Sequence, residues 1–150
     1  MKILAINKRA NYDYEILEKL EAGLVLKGYE VKSIRTGHIS LKGAYVTIKG
    51  GEAFLTNANI PAYQPLNMPK DYDPTQPRKI LLRRSQIKSL IGKTSQKGLT
   101  LTPIKVYSKG SLIKVEIGLG KGKRKIDKRE EITRREVKRK IDRALKVKSL

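Results

Sequence analysis

Apolar and polar residues alternate with a period of two along several stretches of the chain. Ala44, Val46 and Ile48 fall on one side of an extended backbone, and Tyr45, Thr47 and Lys49 on the other. Ile113, Val115, Ile117 and Leu119 share a side against Leu112, Lys114 and Glu116. This spacing predicts strands with one dry and one wet face. Shorter candidates cover residues 3–6, 53–56, 79–83 and 99–107. Gly50-Gly51 can supply the positive φ of a tight hairpin, and Lys109-Gly110 does similar work before Ser111. Pro103 has no amide hydrogen, so inside its strand it wants an edge or a bulge. Six such strands predict an all-β fold with short helices, a six-stranded antiparallel barrel that is closed or partly open. Too little helical sequence remains for the crossovers of a parallel sheet.

Two helices are expected. Ser85 can cap a short one, with Ile87, Leu90 and Ile91 as its apolar stripe and Gly92 near its end. Residues 13–27 fit two patterns: Tyr12, Tyr14, Ile16 and Leu20 alternate, while Ile16, Leu17, Leu20 and Leu24 suit a helix. The expectation is a strand passing into a short helix that ends at Gly28. Five of the six prolines fall within residues 61–77, which reads as a semi-rigid surface loop.

Charge changes this picture. The 150 residues carry 34 Lys and Arg against 14 Asp and Glu, a formal net charge of +20. The excess is uneven: nine basic and six acidic residues in 1–60, eleven and three in 61–120, and fourteen and five in 121–150. The last stretch is also poor in apolar residues. The chain therefore divides into a body, 1–120, and a basic tail, 121–150, that cannot build a core of its own and needs a partner to become ordered. From residue 133 onward Val137, Ile141, Ala144, Leu145 and Lys148 recur at helical spacing amid Arg and Lys. Like charges one turn apart repel, so this segment is expected to be disordered when alone and helical when phosphates surround it. The same pattern suits a membrane surface, but the stripe is thin and lacks Trp and Phe.

Composition excludes much chemistry. Without cysteine there are no disulfides, thiolate zinc sites or thiol nucleophiles, and one histidine cannot build a histidine metal cluster. His38 reads as a turn or surface residue, with an RNA contact as the other possibility. Residues 118–123, Gly-Leu-Gly-Lys-Gly-Lys, look like a phosphate-cradling loop but miss the Walker spacing, since Arg124 follows Lys123. Asp71 and Asp73 lie in the proline-rich loop and make poor general acids near so many cations. No apolar run approaches the roughly 18 residues of a membrane span. No signal peptide opens the chain, so a cytoplasmic protein is expected, acting as a monomer, with no enzyme activity, cofactor, metal or membrane partner. A polyphosphate is the partner that such charge suits, because bound cations release its counterions. Candidate contacts on the body are Lys32 and Arg35, Arg78 and Lys79, and Arg83 and Arg84. Among seven Tyr, one Phe and no Trp, Tyr12, Tyr14, Tyr29 and Tyr45 could serve as stacking platforms, but they are not densely interleaved with cations, which favours recognition of folded RNA by shape over reading of unpaired bases.

The segments NKRANYDYEILEKLEAGLVLKGYEVKSIRTG (7–37), HISLKGAYVTIKGGEAFLTNANIPAY (38–63), RKILLRRSQIKSLIG (78–92) and GLTLTPIKVYSKGSLIKVEIGLGKGKRKIDKRE (98–130) carry a likeness. In order and in motif they resemble the small protein B (SmpB) family, the SsrA-binding, or tmRNA-binding, proteins of bacteria. Residues 131–150 resemble it mainly in basic character. The resemblance implies an oligonucleotide-binding-like barrel with a basic tail that is not an enzyme. Such a protein binds the tRNA-like domain of tmRNA and brings it to stalled ribosomes for trans-translation. The tail would then probe the empty mRNA channel beside small-subunit RNA at the decoding region. Carried over by position, Asn11, Glu30, Lys32, Ser33 and Arg35 look like tmRNA contacts, Asn7 being an alternative for Asn11. Lys121, Lys123, Asp127, Lys128 and Arg129 look like a hinge meeting ribosomal RNA, and Lys138, Arg139 and Arg143 like tail contacts. Ile126 stands where the family often has His or an aromatic, and it can pack but not stack. A general RNA chaperone or ribosome-associated structural protein is the alternative that the charge alone would also suit.

Overall fold

The computed structural model describes residues 1–64, 66, 68–123 and 138–141. Its strands are β1 (Lys2–Ile6), β2 (Tyr14–Leu24), β3 (Tyr45–Lys49), β4 (Glu52–Thr56), β5 (Arg78–Leu81), β6 (Thr100–Lys109) and β7 (Leu112–Gly122). Three helices accompany them: α1 (Ala10–Asp13), α2 (Gly28–Arg35) and α3 (Arg84–Lys97). The fold is mainly an antiparallel β-sheet with a few short helices. Every named pair is antiparallel, in the order β1-β6-β7-β2-β5-β4-β3.

Two features depart from the expected six-stranded barrel. The described strands number seven, and the sheet is not closed by hydrogen bonds. It curls until β3 lies against β6, with Val46 and Ile48 facing Thr100 and Leu101 across a cleft, but no ladder joins them. Val46 and Ile48 stay half-buried because β3 is a terminal strand.

The extra strand comes from the ambiguous segment. Residues 14–24 are extended throughout, pairing with β7 from Tyr14 to Gly23 and with β5 at Gly23 and Leu24. Pairing on both sides overrides the helical spacing of Ile16, Leu17, Leu20 and Leu24. A bulge between Ile16 and Glu18 leaves Leu17 exposed. Gly28 opens a helix where one was expected to end. The Lys27 amide donates to Glu30 Oε1 at 3.0 Å, which satisfies one donor at that helix start. At α3 the Arg83 amide donates to Gln86 Oε1 at 2.9 Å, so Ser85 is not the cap. That helix runs through Gly92 to Gly98, whose φ of 63° ends it.

Other expectations hold. Gly50 and Gly51, at φ 61° and 74°, form the β3–β4 turn. Pro103 lies where β6 shifts register against β7, beyond the last β1 partner at Lys105. Ile113, Val115, Ile117 and Leu119 are buried, and they join Ile34, Leu41, Leu55, Ile60, Ile80 and Val106 in one core. Near the end of β7, Gly118 and Gly120 let β2 come close. A Cβ on Gly118 would lie 2.9 Å from Ile104 Cδ1 and 3.1 Å from Ile16 Cδ1. The glycine-rich run from Gly118 to Gly122 is thus strand rather than a phosphate-cradling loop. No helix among the described residues is long and apolar enough to cross a membrane.

Candidate RNA interface

Helix α2 has an inner and an outer face. Glu30, Ser33 and Ile34 point inward, while Lys32 and Arg35 are exposed. The inner face anchors the proline-rich loop. Glu30 Oε2 accepts from Arg78 Nε at 2.8 Å, and these side chains are 3% and 2% exposed. Arg78 also donates to the Ala58 carbonyl at 2.8 Å and to the Tyr72 hydroxyl at 3.2 Å. The Tyr72 hydroxyl in turn donates to the Ile60 carbonyl at 2.7 Å, and burial raises its pKa above the ordinary tyrosine value. Ser33 Oγ donates to the Pro61 carbonyl at 2.7 Å. Within the loop, Asp73 is held below the usual carboxylate range by the Thr75 amide and then by its hydroxyl.

Of the residues expected to meet tmRNA, the structure therefore buries Glu30, Ser33 and Arg78 and occupies their polar atoms. Lys32, Arg35 and Lys79 stay on the surface. Arg35 Nη2 donates to the Ser111 carbonyl at 3.1 Å, tying α2 to the β6–β7 turn. Lys79 pairs with Glu52 at 3.1 Å, both about half exposed.

A second group gathers at the end of β7. Lys121 is exposed near the end of β7. The Lys123 amide donates to the Asp13 carbonyl at 2.9 Å, and Lys123 Nζ to the Asn11 carbonyl at 2.6 Å. Asn11, expected to meet tmRNA, and Lys123, expected to meet ribosomal RNA, thus share one corner. Asn7 lies inside the body's edge, its amide donating to the Pro103 carbonyl at 2.8 Å. Lys138 and Arg139 are exposed on a helical turn over 138–141. Asp127, Lys128, Arg129 and Arg143, like Ile126, lie outside the described residues. His38 is exposed, with Nδ1 2.8 Å from the Thr36 hydroxyl.

One charged cluster was not singled out from the sequence. Glu21 on β2 accepts a short hydrogen bond from the Tyr107 hydroxyl on β6 and lies 3.7 Å from Lys109 Nζ. The Tyr107 hydrogen bond, helped by the charges of Lys109 and Lys114, lowers the Glu21 pKa. Burial, and then that same bond, raises the Tyr107 pKa. The wet-face alternation of Lys114 and Glu116 was the available signal. What it lacked was the strand order that brings β2 and β6 to either side of β7. Among the described residues no three His, Asp or Glu side chains come together to hold a metal ion.

Comparison with known proteins agrees in sequence and in shape. Residues 4–147 match the family described as SmpB protein. An SsrA-binding protein of Shouchella clausii is 51% identical over 145 residues, covering 97% of this chain and 92% of the relative. One from Enterococcus faecalis is 50% identical, covering 97% and 94%. A solved chain from the structure described as "tmRNA-SmpB: a journey to the center of the bacterial ribosome" superposes with a TM-score of 0.65. It is 42% identical, and the match covers 85% of this chain and 92% of that one.

Proposed function

The chain belongs to the SmpB protein family, and from that premise we propose that it is an RNA-binding adaptor that binds tmRNA and delivers it to stalled ribosomes for trans-translation. The observation that carries this reading is the near full-length match to proteins named for SsrA binding, at about half identity. The charge supports it: +20 on 150 residues suits a polyphosphate partner, and shaped contacts add the selectivity that charge alone lacks. We read the curled sheet as a partly open counterpart of an oligonucleotide-binding barrel, working in the cytoplasm.

The parts divide the work. Lys32, Arg35 and Lys79 offer cations to the tRNA-like domain. Glu30, Ser33 and Arg78 act one step behind them, fixing α2 against the loop so that its outer face has one orientation. Lys121 and Lys123 set the direction in which the chain continues. Asp127, Lys128 and Arg129 would meet small-subunit RNA, and Lys138, Arg139 and Arg143 would follow the empty mRNA channel. Occupied by mRNA, that channel has no room for the segment 121–150, which makes the tail a sensor of missing message.

The test is a pair of variants. Lys128→Ala with Arg129→Ala should keep tmRNA affinity and abolish tagging of truncated chains. Lys32→Ala with Arg35→Ala should weaken tmRNA binding itself. Equal loss of tmRNA binding in both would overturn the division. Competition at about 150 mM salt between the tRNA-like half of tmRNA and an unrelated hairpin should favour the former strongly. A ratio near one would return the reading to a general RNA chaperone.

A further inference from the structure

Two of the seven tyrosines, far apart in sequence, line one cleft at a corner of the fold. A cleft of about 440 Å³ opens between the segment around α1 and the start of β3, within the roughly 300–1,000 Å³ range of pockets that take small organic ligands. Tyr14 and Tyr45 line it, and Leu101 and Thr102, both buried, form part of its wall. Tyr45 is 48% exposed on a terminal strand, so much of its ring is open to a partner. Arg9 and Lys42 stand at the rim. Arg9 lies 4.7 Å above the Tyr12 ring and pairs with Asp13 at 3.3 Å. Asp13 is a carboxylate in the same cleft, and Arg9 offsets its charge. Lys123 holds the carbonyls of Asn11 and Asp13, so the tyrosine-bearing segment is fastened to the root of the tail.

We propose that this cleft seats one unpaired nucleobase of the RNA that the chain binds, stacked on Tyr45, with a flanking phosphate held by Lys42. Aromatic faces accept any base, and each such stack is worth about ten-fold in affinity. An aliphatic ligand would have no use for the cationic rim, whereas a nucleotide uses both parts. The inference rests on the RNA-binding reading above and adds to it a base-sized subsite. It also adds a base contact to the recognition by shape that the scarce aromatics favour, since two of the candidate tyrosines share this cleft.

The test uses the full-length protein and a hairpin RNA carrying a single bulged 2-aminopurine, against the same hairpin fully paired, at about 150 mM salt. The expected result is about ten-fold tighter binding of the bulged RNA, with the fluorophore quenched on binding. Tyr45→Ala should abolish both effects, and Tyr45→Phe should keep them. Affinity for the tRNA-like half of tmRNA is measured alongside. If the unaltered protein holds tmRNA but shows no preference for the bulge, or if Tyr45→Ala retains that preference, the base subsite is overturned. If the unaltered protein does not hold tmRNA, the underlying reading falls as well.

Discussion

Arg78 and Lys79 are adjacent cations on β5, and both were expected to meet RNA, yet they do opposite work. Arg78 is 3% exposed and commits its guanidinium to Glu30, Ala58 and Tyr72. Lys79, one residue on, faces solvent with Glu52 as its only ion-pair partner among the described residues. The period-two geometry of a strand separates them: successive side chains leave opposite faces of the sheet. Burial then decides the energetics. A charge out of water must be paired and fully hydrogen-bonded, and breaking such a pair leaves an uncompensated ion. An exposed pair is worth roughly 0–1 kcal/mol and can be given up to a phosphate. The difference teaches that a basic residue in a nucleic-acid-binding chain is not by itself a contact.

The comparison breaks most visibly at Arg78. Arg78→Met should cost about 3–5 kcal/mol, because the buried Glu30 carboxyl loses its cation and keeps only the Lys27 amide. Urea unfolding at neutral pH reads this directly. Glu30→Leu added to Arg78→Met should cost less than the two single changes together, since neither ion remains. An Arg78→Met variant as stable as the parent would mean that the pair is dispensable. Close packing around Gly118 supplies the next largest effect. Gly118→Ala forces a methyl against Ile104 and Ile16, and overpacking of this kind costs about 1–3 kcal/mol in the same melt.

Lys79→Ala sharpens the contrast from the other side. Stability should change by no more than about 0.5 kcal/mol. In a plot of log affinity for tmRNA against log salt, the slope should fall by about 1, the signature of one lost phosphate contact. A stability loss comparable to that of Arg78→Met would erase the distinction between the two faces.

How much of this was legible in the sequence follows the same logic. Alternation located β3 and β7, short apolar stretches located β1, β4, β5 and β6, and the glycine pair located the β3–β4 turn, because these are local properties. In the Asp13–Lys27 segment the expected strand formed and the expected helix did not, because its residues satisfy two periods and only pairing with β7 and β5 chooses between them. Cations could be counted but not sorted. Nothing local to Glu30 or Arg78 announces that they meet across 48 positions, whereas their neighbours Lys32 and Lys79 stay outside. The tyrosines follow the same pattern: Tyr14 and Tyr45 could be named as stacking candidates, but only the fold brings their strands to one cleft.

The smallest expected effect lies on the wet face, where Glu21 and Tyr107 form a pair of mixed burial. Tyr107 is buried and Glu21 exposed, so Tyr107→Phe keeps the packed ring and removes only the hydroxyl. The Glu21 carboxyl, held below its ordinary value chiefly by that hydroxyl, should then titrate closer to the usual glutamate range near ~4.3. Lys109 and Lys114 remain, so part of the depression should persist. A depressed carboxylate contributes stability above the unfolded-state pKa and loses it as pH falls through the folded value. The stability gap between parent and Tyr107→Phe should therefore narrow on acidification from pH 7 toward pH 3. Carbon-detected NMR of the Glu21 carboxyl, alongside urea melts at the two pH values, measures both ends of this linkage. An unchanged Glu21 titration would mean that the lysines alone set its charge, and that the exposed face owes nothing to the buried tyrosine behind it.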